Sequence, residues 1–340
     1  MNVTVYPKAY QSAFREASFV LSGVAASSGT DIGISSYSYA ETLGVKRVYA
    51  TGEVSVNAAP YVRRFLGPEP LCGAKPMDVV TGEGRTVACR VSAGDYTSSA
   101  VWLTAGSDDA PVNMIISAAP SVVKIRPGES DEISVIADGT RMRPLISFMH
   151  EGTEYTDYSI PNYSGVEMLT LVVNPDAVGR LFTEHTGADV SEMTGFTVWI
   201  RMTENWVDTF CSRRYEIDRN GTGGRRIAWV NRYGAVDYYT FPYVTGGSVS
   251  GSRGRIYTPD GYRTVATSAE TTETLLSEPC DPESVRWLSE IFSSPAVWTI
   301  DGTDYRKVEV ADGASDYSSS RPGTVSVIVG PVKKPVSRKY

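Results

Sequence analysis

Apolar and polar positions alternate along most of this chain, in runs too short for helices. Residues 3–6, 19–21, 45–49, 54–56, 86–91 and 100–104 are rich in Val, Leu, Tyr and Thr, with small polar stretches such as 25–30 between them. A period of two fits a half-buried strand, and strands at this spacing predict an antiparallel sandwich. The pattern continues at 133–137, 145–149, 168–173 and 196–202, and again at 297–300, 306–310 and 325–329. It is interrupted twice. Asn174 precedes Pro175, and Val178, Leu181 and Phe182 share one helical face, so a helix is predicted near 175–186, ending at Gly187. Asp281, Pro282 and Glu283 open a second one near 282–293, with Val285, Leu288, Ile291 and Phe292 on one face and Pro295 as its stop. The expected fold is mainly β: tandem antiparallel sandwich or barrel-like modules with two short helices.

Three modules are expected: 1–118, 119–265 with its central hairpin, and 266–340 with a helix, strands and a basic tail. Val54, Val56, Ala59, Pro60 and Val62 are faintly echoed by Ile115, Ile116, Ala119, Pro120 and Val122, which fits either a duplication or one shared turn type. Residues 246–263 lose the apolar alternation to Gly, Ser and Arg, and read as a mobile loop or a boundary.

The stretch 225–241 holds the densest β-formers on both sides of an Asn-x-x-Gly break. Asn and Gly tolerate positive φ, so it reads as a hairpin with a tight turn. Its pattern is Trp229, Asn231, Gly234, Asp237, Tyr239 and Phe241. A second pattern joins Trp287 to Pro295, Val297 and Trp298, then Tyr305 and Val308. Together the two resemble segments of tail and other virion structural proteins of tailed phages and prophages of Bacteroidetes, over roughly the last third of the chain. The resemblance implies a structural part of a virion, made in the host cytoplasm and assembled with other copies of itself and other tail proteins.

Length and charge narrow the alternatives. At 340 residues, a prior of about 150 per domain allows two or three cores. No run of about 18 apolar residues exists, so no membrane-spanning helix is expected. The first residues lack a basic start with an apolar core, so no secretory signal is read. A formal charge of −7 makes direct DNA binding an unfavoured expectation. Cys72, Cys89, Cys211 and Cys280 are widely spaced and read as free thiols.

Candidate chemistry is sparse. His150 and His185 are the only histidines, neither in a metal-ligand spacing, and no cofactor or metal is expected. Asn220-Gly221-Thr222-Gly223-Gly224 is Gly-rich but leads into a strand, whereas a phosphate cradle needs a helix behind it. Carboxylates such as Asp108, Asp109, Asp131, Glu132, Glu151 and Glu154 read as solvated faces and turns. Arg213, Arg214, Arg219, Arg225, Arg226 and Arg232, offset only by Glu216 and Asp218, read as a solvated or intersubunit face. The expected interface or architectural residues are those of the hairpin motif with Arg213, Arg214, Arg225, Arg226, Trp287, Pro295, Lys333 and Lys334. No catalytic residue is expected. A carbohydrate-binding or adhesin module meeting a host surface glycan is the alternative, and a glycan hydrolase on a β-scaffold a third.

Overall fold

The computed structural model describes residues 1–24, 29–36, 41–49, 52–71, 73–82, 84–204, 207–318 and 321–331. Cys72, Lys333 and Lys334 lie outside the described residues. The fold is mostly β, as the alternation predicts, and the described residues form two compact units. The first comprises Met1–Asp218 with Val230–Asp237, and the second Arg219–Trp229 with Tyr238–Tyr340.

The first unit holds two β-sandwiches. In one, Asn2–Val5, Ser18–Val24 and Gly52–Asn57 form a three-stranded sheet. It faces a sheet of Gln11–Ser12, Val101–Thr104, Thr86–Ala93, Thr30–Ser36 and Thr42–Val48. Phe19, Leu21, Ile32, Ile34, Val87 and Leu103 fill the space between them. They sit at alternate positions, so each strand turns one row of side chains inward. In the other sandwich, Asp131–Ile136, Met168–Val173 and Val79–Thr81 face a sheet built on Arg141–His150, Gly195–Glu204 and Val207–Ile217. Phe148, Leu171, Phe182, Phe196, Ile200 and Tyr215 form its core.

The helix predicted near 175–186 spans Pro175–Thr186 and lies in this second sandwich. The Asn174 carboxamide oxygen accepts from the amides of Asp176 and Ala177, and Gly187 closes the helix in the left-handed conformation at φ 71°. Val178 and Phe182 are its buried face. The echoed segments fold differently: Ala59–Val62 is a helical turn, whereas Val122–Ile125 is a strand.

A buried ionic staple ties the two sandwiches together. Arg85 is fully buried, and its guanidinium donates to Ser134 Oγ at 3.0 Å, Thr170 Oγ1 at 2.9 Å, the Glu69 carbonyl at 3.0 Å and the Glu132 carboxylate. The other Glu132 oxygen accepts from the Leu71 amide at 2.8 Å. Asp131 and Glu132 are therefore interior groups, contrary to the solvated reading. They open the apolar 133–137 run, and the burial that covers the run covers them too.

The second unit is a seven-stranded sheet, ordered Val236–Phe241, Arg225–Val230, Val297–Asp301, Asp304–Ser318, Arg321–Pro331, Gly261–Leu276 and Tyr243–Thr258. The helix Pro282–Ser289 and the 3-10 turn Glu290–Ser293 occupy the predicted 282–293. Asp281 caps them, accepting from the Glu283 and Ser284 amides, both at 2.9 Å. Residues 246–263 are two strands joined by a turn at 259–260 rather than a mobile loop. They belong to a ribbon in which Tyr243–Thr258 and Gly261–Leu276 pair antiparallel along their whole length. A ribbon with both faces in solvent needs no apolar alternation, so its Gly, Ser and Thr content hid it.

Candidate functional site

The turn of the hairpin motif is an interior feature of the first unit. Asn231 is buried, and its side-chain oxygen accepts from the amides of Tyr233 at 3.0 Å and Ala235 at 3.2 Å. Its carboxamide nitrogen donates to the Ile116 carbonyl at 3.0 Å. One side chain thus closes the turn and anchors it to a distant segment. Gly234 has φ 89°, and a Cβ there would lie 2.6 Å from the Gly106 nitrogen, so conformation and space both demand glycine. Asp237 is buried and accepts from Ser117 Oγ at 2.8 Å.

The aromatic positions of the motif meet in the second unit. Trp229 and Trp287 lie with ring centroids 5.2 Å apart, and Tyr239 stands edge-on to Trp287 at 6.0 Å and to Phe241 at 4.9 Å. Trp229, Phe241 and Trp287 are buried and Tyr239 nearly so. Burial pushes the Tyr239 hydroxyl well above its usual pKa. Offset and edge-on rings are the favoured packing of aromatic quadrupoles. The two patterns, well separated in the chain, therefore meet as one core cluster. Pro295 is exposed just after the 3-10 turn.

The arginines do not form one face. Arg213 is buried, 3.8 Å from the Asp131 carboxylate, to which the Tyr215 hydroxyl donates at 2.9 Å. Arg226 is also buried, with its guanidinium on Thr240 Oγ1 at 3.0 Å and over the Tyr238 ring. Arg214, one residue along the strand from Arg213, is exposed. Arg225 makes a two-pronged pair with Glu273 at 2.9 and 2.7 Å. Reading neighbours in sequence misses Asp131 and Glu273 because they come from distant strands.

The second unit also carries an open groove of about 320 Å³, lined by Arg225, Glu273, Asp301, Asp304, Arg306 and Lys307 among others. Glu273 is tied to Arg225, and Asp304 to Arg306 through two bonds of 2.8 and 2.6 Å. No aromatic ring lines it to stack on a sugar.

His185 lies 3.0 Å from Asp157, whose other oxygen accepts from Ser159. The carboxylate sits between the two, so this is not a hydroxyl held by a base. Burial alone would raise the Asp157 pKa, but the bonds from Ser159 and His185 outweigh it and hold the carboxyl below its usual value. His150 stands 4.0 Å from Glu192 and edge-on to Phe182. Burial pushes the Cys89 thiol up to about 12 and that of Cys211 to about 11, which keeps both as thiols. Among the described residues, no three His, Cys, Asp or Glu side chains are grouped to hold a metal. No described helix is long and apolar enough to cross a membrane.

The ribbon of the second unit is exposed along its described side chains. Among the described residues, its strand Gly261–Leu276 pairs with Arg321–Pro331 through Glu273–Leu276, and residues 248–258 and 261–272 pair with each other. At 3.3 Å per residue that is about 35–40 Å of ribbon. Val249 is 74% exposed, Ile256 48%, and Tyr257 and Tyr262, opposite each other near the tip, 75% and 76%.

No family model matches the chain, and no curated protein matches it. Among solved structures, it is similar to SGBP-B of the Bacteroides ovatus mixed-linkage glucan utilization locus, in complex with a mixed-linkage heptasaccharide. The two are 10% identical over 97% of this chain and 98% of that one, with a TM-score of 0.18, a likeness that carries no argument about function.

Proposed function

We propose that this protein is a non-catalytic assembly component, a structural part of a tailed-phage virion at the tail or tail tip, joining other copies of itself and other tail proteins. The ribbon is the observation that carries this reading. A two-stranded hairpin is marginal alone in water, and this one exposes Val249, Ile256, Tyr257 and Tyr262 along its length. Such a strand pair is completed when a neighbour covers a face or adds a strand to its edge. The buried Arg85 and Arg213 are committed to holding the sandwiches together, and the titratable groups described above are not arranged as a hydrolase needs. The hairpin and Trp287 patterns supply the resemblance to virion proteins and act as core architecture.

The test is to purify particles from a lysate of the phage or induced prophage that encodes the chain, and to count copies per particle by quantitative mass spectrometry. A fixed copy number, lost when residues 248–272 are replaced by a short turn, supports the reading. Absence from particles overturns it.

A second reading is a glycan-binding module, favoured by the exposed Tyr257–Tyr262 pair, whose rings lie 5.3 Å apart. Exposed tyrosines suit stacking on sugar faces at low entropic cost. Binding on a glycan array that Tyr257→Ala with Tyr262→Ala abolishes would favour it over assembly.

A further inference from the structure

The second sandwich turns a cationic, aromatic face away from its core. In the sheet of Arg141–His150, Gly195–Glu204 and Val207–Ile217, Phe196, Val198, Ile200 and Met202 are core side chains. Strand alternation therefore directs Thr197, Trp199, Arg201 and Thr203 to the opposite side. The register sets Trp199 between Leu145 and Ser212, and Arg201 between Arg143 and Phe210. Leu145 and Ser147 are 7% and 4% exposed although they share this outward side. The indole explains both. Its Nε1 donates to Ser147 Oγ at 3.0 Å, and a serine rises little above its strand, so the ring lies along the sheet over Leu145. Trp199 itself is half-buried, consistent with one ring face down and the other in water.

Arginines flank that ring. Arg143 and Arg201 stand directly opposite each other, a like-charge cross-strand pair that costs the sheet stability. Arg143 donates to the Tyr158 carbonyl at 2.8 Å and lies over the Tyr158 ring, while Arg201 pairs with Asp208 at 3.0 Å. Arg214, opposite Thr197, is exposed on the other side of Trp199 along the strands. Asp208 is the carboxylate of this span, and the Thr203 hydroxyl donates to it at 2.7 Å. Glu154 and Glu216 come one step further along, opposite Met149 and Gly195. Tyr158 and Phe210 add exposed rings.

From this placement we infer that the face binds an acidic polysaccharide, with one sugar ring on the Trp199 indole and its anionic groups on Arg143, Arg201 and Arg214. A flat indole offers apolar area to the C–H face of a sugar. Guanidinium groups present paired donors to carboxylate and sulfate oxygens. A bound anion also offsets the repulsion between Arg143 and Arg201, which Asp208 alone balances in part. Asp208 accepts hydrogen bonds, so it suits sugar hydroxyls, which a DNA backbone lacks. A chain charge of −7 is unfavourable for a polyphosphate. These features favour a polysaccharide over a single-stranded nucleic acid, whose bases would stack on the same ring. The site belongs to the first unit and uses no residue of the ribbon, so it rests on neither reading above.

The experiment measures binding of the full chain to polygalacturonate and to heparin, with neutral dextran and a thymidine oligonucleotide beside them. Titration calorimetry and tryptophan emission are read at low and high salt. Wild type is expected to bind at least one acidic polysaccharide, more weakly as salt rises, and to leave dextran unbound. Trp199→Ala is expected to weaken binding by about tenfold or more. Arg201→Gln with Arg214→Gln, which removes charge and keeps hydrogen-bonding groups, is expected to weaken it by about tenfold and flatten its salt dependence. Trp199→Ala uncovers Leu145, so urea melts check its fold, and the arginine pair decides the matter if it unfolds. Tyr257→Ala with Tyr262→Ala is expected to bind as wild type does. No binding to either acidic polysaccharide at low salt overturns the inference, as does equal binding to dextran or tighter binding to the oligonucleotide. Binding indifferent to the arginine changes overturns it too, and loss of binding in the tyrosine variant moves the site to the ribbon and overturns it likewise. Particle incorporation is scored separately. A chain that binds through Trp199 yet is absent from particles upholds this inference and overturns the virion reading.

Discussion

Replacing Asn231 is the sharpest probe of the hairpin motif, because one buried side chain makes three hydrogen bonds. Asn231→Ala strands the Ala235 amide and the Ile116 carbonyl, both of buried residues, together with the half-buried Tyr233 amide. An unsatisfied buried polar group costs about 1–3 kcal/mol, and the Tyr233 amide is the one best placed to regain water, so the expected loss is about 2–4 kcal/mol. Asn231→Asp separates the roles. It keeps the acceptor for both amides but sets a second carboxylate oxygen against the Ile116 carbonyl.

That oxygen can donate only when protonated, so the folded state raises the introduced carboxyl above its unfolded pKa. A raised carboxyl favours folding through its protonated form. Asn231→Asp is therefore expected to be much weaker than wild type at neutral pH and to recover part of the deficit as pH falls toward 4–5 (about the upper carboxylate range). Urea unfolding followed by far-ultraviolet circular dichroism and tryptophan emission, at both pH values, provides the assay. The reasoning fails if Asn231→Ala stays within about 0.5 kcal/mol of wild type, the range of ordinary surface changes. It also fails if the Asn231→Asp deficit is the same at both pH values.

Two further perturbations address the other internal devices. Arg85→Met leaves Glu132 buried without its cation and is expected to cost about 3–5 kcal/mol, whereas Arg85→Met with Glu132→Met should cost clearly less than the two single changes added together; strict additivity in urea melts would show that the pair is not coupled. Asp281 is held below its usual pKa, chiefly by the Ser284 amide, so it stabilises the fold above about pH 4 (its unfolded value) and loses that contribution as pH falls through the depressed value. Asp281→Ala should cost about 1 kcal/mol at neutral pH while Asp281→Asn costs little, since either carboxamide or carboxylate caps a helix; the acid limb of the thermal-melt profile should flatten in both, and an unchanged limb would count against the cap.

What can be read from the chain follows from how local each cause is. Both capped helices are legible because Asn174 with Pro175, and Asp281 with Pro282, state their own geometry within a few residues. The sandwich strands are legible because burial on one face forces alternation, as at Phe19 and Leu21. The ion pairs are not. Glu216 and Asp218 lie near Arg213 in sequence, yet the carboxylate beside it is Asp131, on a strand of the facing sheet. Glu132 reads as a solvated acid because nothing beside it in the chain foretells Arg85.

The ribbon fails to register for the opposite reason. Its strands are set by backbone pairing, with no core to impose a pattern, so Gly247, Ser248, Ser250 and Gly251 read as a loop. The same logic separates the residues that look chemical from those that have a surface to offer. Arg85, Arg213, Arg226, Glu132 and Asp237 are interior, where a charged group is kept only when paired or hydrogen-bonded, and so they are committed to holding the fold. Tyr257 and Tyr262 leave most of their area in water, which yields no stability to the isolated chain. Area of that kind becomes favourable only when something covers it.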